Sequence, residues 1–251
     1  MTETVYVFDG YSLQAVDHFD QPLQVADSFL INEGRVRSLY KHKERFISSV
    51  QRFSNLDVSL FWDCAMELLP RTGSALPRLE LADGTLALRI REVFEFKPSV
   101  RLWTSDEPDP RVDPSVKGPD LAYGAMLRRK SNLHGADEAV IVNSDGFVVE
   151  GALSSLLWWR EDVLCAPDES TRWLPSVTRS DLFDLADQAG YGTKVEQVKP
   201  EDLIGLELWT VSAFTGIRPV TDWVNLGGPV GPQKHLESFQ RRLKLLSSEL
   251  D

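Results

Sequence analysis

Residues 137–151 read Asp-Glu-Ala-Val-Ile-Val-Asn-Ser-Asp-Gly-Phe-Val-Val-Glu-Gly. Apolar and polar side chains alternate on both sides of Ser144-Asp145-Gly146, the pattern of two antiparallel strands joined by a tight turn. Glu150 closes the second strand. Phe147-Val148-Val149 before it and Ala152-Leu153 after it give it a half-buried setting, in which an unpaired carboxylate is costly. Further on, Leu174-Pro175-Ser176-Val177-Thr178-Arg179 leads into an amphipathic helix with Leu182, Leu185, Ala186 and Ala189 on one face. The first-turn amides of such a helix lack internal acceptors and suit an anion. Together these point to a cofactor that meets an acid at one end and carries a phosphate at the other.

Working outward, the chain divides into two α+β units. Short strands fill residues 2–40, including Val5–Phe8 and Ser28–Ile31, and helical periodicity covers 41–53 and 56–69. A hairpin follows over Arg78–Ile90 around Asp83-Gly84. Between 104 and 120 come four prolines and few apolar residues, the composition of an interdomain linker. This gives an N-terminal domain at 1–104, a linker at 105–119 and a C-terminal domain at 120–251. The latter opens with a helix at 120–134 and continues through the hairpin, strands at 154–160 and 163–166, the helix ending at Gly190, and strands Glu207–Val211 and Gly216–Val220. It closes with a helix over Pro232–Leu250.

A length of 251 residues allows a sizeable core. The net charge of −11 argues against nucleic acid or an anionic membrane as partner. No run of eighteen apolar residues occurs and the first residues are polar and acidic, so a soluble cytoplasmic protein is expected. Cys64 and Cys165 are too few for a disulfide framework, and histidines at 18, 42, 134 and 235 show no metal spacing. Cys64 reads as an inert core thiol and Trp158, Trp159 and Trp209 as core packing.

Lys117, thirty-three positions before Glu150, completes a pattern with the hairpin, Leu-Pro-Ser-Val-Thr-Arg at 174–179, Val211-Ser212-Ala213, and Gly216-Ile217-Arg218-Pro219-Val220. With His42-Lys43-Glu44-Arg45-Phe46, these motifs stand in one order from about residue 36 to 222 and resemble the class IV, or fold type IV, pyridoxal-phosphate enzymes. That family contains branched-chain aminotransferases, D-amino acid aminotransferases and 4-amino-4-deoxychorismate lyases. The resemblance implies a two-domain α/β (α+β) fold of the D-amino acid aminotransferase type, with a barrel-like sheet in the larger, cofactor-binding C-terminal domain. It also implies a homodimer.

By the same resemblance Lys117 holds pyridoxal 5′-phosphate as a Schiff base and moves protons, a role suited to a partly desolvated lysine. On its own, a lysine in a proline-rich stretch reads as a solvated surface residue. Glu150 would pair with the pyridine nitrogen and keep the ring cationic; the plainer reading is a surface ion pair with an arginine. Ser176, Val177 and Thr178 would hold the phosphate at a helix start, where Ser and Thr are also ordinary caps. Ser212 and Ala213 would form a second phosphate turn, Ala213 through its backbone only. Arg45 would add positive charge from the first domain, with a helix-surface salt bridge as the alternative, and Arg179 reads as structural.

The sequence departs from the family in two places. Residues 22–30, Pro-Leu-Gln-Val-Ala-Asp-Ser-Phe-Leu, replace a Gly-Asp-Gly-x-Phe-Glu-like stretch, and Ser154-Ser155-Leu156-Leu157 lacks the family's asparagine. No clear arginine pair for a substrate carboxylate stands out, although Arg35, Arg37, Arg89, Arg91 and Arg218 are available. The activity implied is transamination between an amino acid and a keto acid. The alternatives are pyruvate elimination from aminodeoxychorismate to give 4-aminobenzoate, and a degenerate member that binds without turnover.

Overall fold

The computed structural model describes residues 3–250. Among them, strands β1 (Glu3–Phe8), β2 (Leu13–Val16), β3 (Leu23–Ser28), β4 (Ile31–Asn32) and β5 (Arg35–Arg37) precede helices α1 (Leu39–Val50) and α2 (Ser59–Leu68). Strands β6 (Ser74–Ala82), β7 (Thr85–Glu92) and β8 (Val100–Thr104) lead to α3 (Leu121–Leu133). Then come β9 (Glu138–Val142), β10 (Val148–Gly151), β11 (Ser155–Arg160), β12 (Val163–Pro167), α4 (Val177–Gln188) and β13 (Gly192–Glu196). The last elements are β14 (Glu207–Ser212), β15 (Gly216–Trp223), α5 (Leu236–Leu245) and β16 (Ser247–Glu249).

Two compact units form. The first takes the residues up to Glu95, the segment Val116–Pro119 and the residues from Leu246 on; the second takes Phe96–Ser115 and Asp120–Leu245. The chain therefore passes between units more often than the linear division 1–104, 105–119, 120–251 anticipates.

In the first unit the sheet runs β16-β5-β4-β6-β7-β1-β2, with β3 also paired to β6. The β6–β7 hairpin turns at Asp83 and Gly84, both at positive φ, as a two-residue turn between twisted strands requires. Phe29, Phe46, Phe61, Leu79, Leu81 and Leu88 form its core. The strand anticipated over Ser28–Ile31 breaks between β3 and β4, and Phe29 is buried there. The helix anticipated over 232–250 is shorter. Residues 247–249 instead pair antiparallel with β5, and the Leu250 amide donates to the Gly34 carbonyl at 2.9 Å. Leu250 joins this unit's core, so burial and strand pairing outweigh local helical preference.

The sheet of the second unit runs β10-β9-β8-β15-β14-β11-β12-β13. β8 is parallel to β9 and β15, and β12 is parallel to β13. β10 also lies against β11 and β12, curling the sheet toward a half-barrel. Leu102, Val140, Val148, Leu156, Trp158, Leu208 and Val220 fill one core, and Trp103, Leu127, Ile141 and Val149 another. Trp158, Trp159 and Trp209 are buried, whereas Cys64, in the first unit, is only half-buried. The β9–β10 hairpin carries an irregularity between Val148 and Glu150, and a bulge there re-aims the side chain that follows.

Candidate active site

The residues singled out by sequence fall into two sets, one in each unit. In the second unit Glu150, 5% exposed, ends β10. Arg111 Nη1 donates to Glu150 Oε1 at 2.6 Å, and the Leu174 amide donates to the same oxygen at 3.2 Å. Arg111 also grips Asp109, with Nε to Oδ1 and Nη2 to Oδ2 both at 2.9 Å. Burial is the largest influence on Arg111 and pulls its pKa down, but Asp109 and Glu150 more than offset it and hold the guanidinium above its ordinary value. Glu150 thus has the charged, hydrogen-bonded partner that a buried carboxylate requires. The partner comes from the stretch that composition marks as a linker. Its sole hint in sequence is one cation among the acids of Asp-Glu-Pro-Asp-Pro-Arg-Val-Asp at 106–113.

Ser176 caps α4 from an extended conformation, its Oγ accepting from the Arg179 amide at 3.2 Å. Val177 and Thr178 are the first two helical residues, and amides at those positions have no acceptor inside a helix. Arg179 stacks 3.6 Å from the centre of the Trp173 ring and donates through Nη2 to the Pro167 carbonyl at 2.9 Å. Burial pushes its pKa down to about 10 against the pull of Glu150. These contacts fit a residue that braces the helix start. Between β14 and β15, Ser212 Oγ lies 2.9 Å from Thr215 Oγ1 and accepts from the Thr215 amide at 3.0 Å. Thr215 therefore brings a hydroxyl to a turn whose Ala213 has none.

In the first unit Lys117 is half-buried, and its carbonyl accepts from the Ala26 amide at 2.6 Å. Val116 is buried beside it. Gly118 has φ +151°, and a Cβ there would lie 2.8 Å from both the Gln24 oxygen and the Val25 Cα. The backbone around the lysine is therefore seated on β3, unlike that of a solvated linker residue. Arg45 is held by Asp27 through Nε–Oδ2 at 2.7 Å and Nη2–Oδ1 at 2.9 Å, and Asp27 Oδ1 also meets His42 Nδ1 at 2.7 Å. Burial alone would raise the Asp27 pKa, but Arg45 and His42 hold it well below the carboxylate range. Burial likewise drives His42 down, opposed by Asp27. Asp27 escapes a motif search because it lies in the stretch that departs from the family pattern.

A buried carboxylate, a capped helix start and a hydroxyl-bearing turn form one acceptor and two sets of donors. Their chemistry fits a ligand with a cationic ring nitrogen and a phosphate.

Residues 24–223 match the family model for class IV amino-transferases, and the chain belongs to that family. Among curated relatives, it is 27% identical to the D-alanine aminotransferase of Bacillus licheniformis over 121 residues, 47% of this chain and 42% of that protein. That alignment spans less than half the length of either. Among solved structures, a fold IV transaminase from Curtobacterium pusillum superposes with a TM-score of 0.79 at 18% identity, covering 96% of this chain and 99% of the other. The PLP-bound form of a hypothetical aminotransferase from Mycobacterium tuberculosis gives 0.82 at 20% identity and covers 98% of both. These likenesses establish the fold type IV architecture anticipated from the sequence.

Proposed function

We propose that the protein is a pyridoxal-phosphate-dependent aminotransferase acting on amino acids and keto acids. The observation that carries this reading is the buried carboxylate of Glu150, fixed by Arg111 and the Leu174 amide in a chain with the class IV pattern. Glu150 would hold the pyridine nitrogen. Ser176, Val177, Thr178, Ser212 and Ala213 would hold the phosphate, with Arg45 adding positive charge, and Lys117 is the catalytic residue. When bound, the cofactor supplies an electron sink for the substrate's α-carbon.

The chain's own residues supply the rest. Glu150, whose Oε1 accepts from Arg111 and the Leu174 amide, would pair with the protonated ring nitrogen. The Lys117 amine would hold the cofactor and, when free, would serve as the acid–base group at the substrate α-carbon. Its backbone bond to Ala26 fixes the root of that side chain while the amine moves.

Two unpaired cysteines suit the reducing cytoplasm, and among the described residues no helix is long and apolar enough to cross a membrane. Tyr11 at 84% and Tyr40 at 62% exposure provide apolar surface for the homodimer of this reading; sedimentation as a monomer at working concentration would remove it. The test of the cofactor is the visible spectrum of the protein mixed with pyridoxal phosphate, wild type beside Lys117→Ala, followed by borohydride reduction and peptide mapping. A band near ~410 to 430 nm fixed onto Lys117 supports the reading, and its absence sinks it. Coupling to a keto-acid acceptor then separates transamination from elimination of pyruvate from aminodeoxychorismate, since a transaminase leaves the cofactor in its amine form.

A further inference from the structure

The five arginines available for a substrate carboxylate differ sharply in what they touch. Arg35 is taken by Glu249 and the Ser247 carbonyl, and Arg37 is not free. Arg89 is taken by Glu3 and Glu80, and Arg91 by the Leu76 carbonyl and Ser28 Oγ. Arg218 stands apart. It is 4% exposed in β15, and its Nε has no hydrogen-bond partner. Its register partner on β14 is Thr210, 1% exposed, whose Oγ1 also lacks a partner. Cross-strand partners leave a sheet on the same face, so the Arg218 Nε and the Thr210 hydroxyl lie on one face, each without a hydrogen-bond partner.

Buried polar atoms are rarely left so. The charges acting on Arg218 are Glu138, Arg128 and Asp137. Glu138 accepts from Ser154 Oγ and the Ala139 amide, both at 3.2 Å. Asp137 is engaged by Lys97 at 2.7 Å. Against Glu138, the two arginines leave an excess of positive charge, which favours an anion. Strand alternation puts Ser212 on the Thr210 face of β14, so the pair lies one row from the Ser212–Thr215 turn.

We infer that Arg218 and Thr210 bind the carboxylate of the amino-acid or keto-acid substrate. The inference rests on the functional reading above. A planar fork of donors matches a carboxylate, whereas the phosphate has the start of α4 and the Ser212 turn.

The test uses protein loaded with pyridoxamine phosphate and compares the affinity of pyruvate with that of its neutral isostere pyruvamide, read by tryptophan fluorescence. Wild type should prefer the acid by about tenfold or more, the worth of one charge-assisted hydrogen bond. The ratio should fall toward one in Arg218→Met, be partly kept in Arg218→Lys, and drop several-fold in Thr210→Val. The melting temperature of unloaded Arg218→Met should stay close to that of wild type, because Arg218 Nε has no hydrogen bond to lose; a fall of several degrees marks a structural arginine and overturns the inference. An unchanged acid-to-amide ratio in Arg218→Met overturns it as well. If that variant instead loses the preference for pyridoxal phosphate over pyridoxal, the anion is the phosphate and the carboxylate assignment fails. Wild type that fixes pyridoxal phosphate on Lys117 but shows no acid preference defeats this inference alone; failure to fix it removes the functional reading and this one with it.

Discussion

Glu150 and Arg111 are each 7% exposed at the side chain and 2.6 Å apart, so neither charge is stable without the other. Arg111→Met should destabilise the protein by about 3–5 kcal/mol, and Arg111→Met with Glu150→Gln should recover part of that loss. Urea midpoints of the single and double variants check this, and additive losses would contradict it. Gly118→Ala places a Cβ against the backbone of Gln24 and Val25 at a positive φ. A cost of roughly 1–3 kcal/mol is expected, measurable as a lower melting temperature. Glu150 is singled out in the sequence by its hairpin, and Lys117 only by its register with the class IV pattern. Arg111 is not, because its partner lies 39 positions away and nothing local announces a long-range ion pair. Asp27 is hidden for the same reason, with His42 and Arg45 on a different element.

Elements defined by short-range chemistry were the most readable. The β9–β10 hairpin follows from its alternation and its turn, in which Asn143 Oδ1 accepts from the Asp145 and Phe147 amides at 3.1 and 2.9 Å. The start of α4 follows from its cap residue. Ser176→Ala should cost about 0.5–2 kcal/mol, whereas Ser176→Gly should cost only a few tenths. A denaturation midpoint of Ser176→Ala equal to that of wild type would show that the hydroxyl contributes nothing. β13 and β16 were not readable, since both are short and find their partners far away in sequence, β13 on β12 and β16 on β5. Tertiary pairing decides such strands.

For the whole molecule, acidification should be destabilising. Asp27 is held low by Arg45 and His42 despite its burial, and Glu196, whose burial acts upward, is brought down to about 2 by Arg160, Lys194 and Trp158. Depressed carboxylates contribute stability above their unfolded pKa values, about 4, and lose it as pH falls toward the folded ones. His42 is depressed by burial, so below about 6.5 the unfolded chain takes up a proton that the folded one refuses, with the same sign. Glu138 is raised by burial and opposes the trend. Denaturant midpoints should therefore fall from pH 7 to pH 3; a rise would mean that Glu138 dominates. Removing the residues after Leu245 deletes β16 and the Leu250 side chain from the first unit's core, so faster proteolysis of that unit is expected. Pairing of β16 with β5 also sets an order of events during synthesis. The sheet that begins at Glu3 cannot be completed until residues 247–250 have left the ribosome, so its β5 edge must wait, unpaired, while the second unit is made.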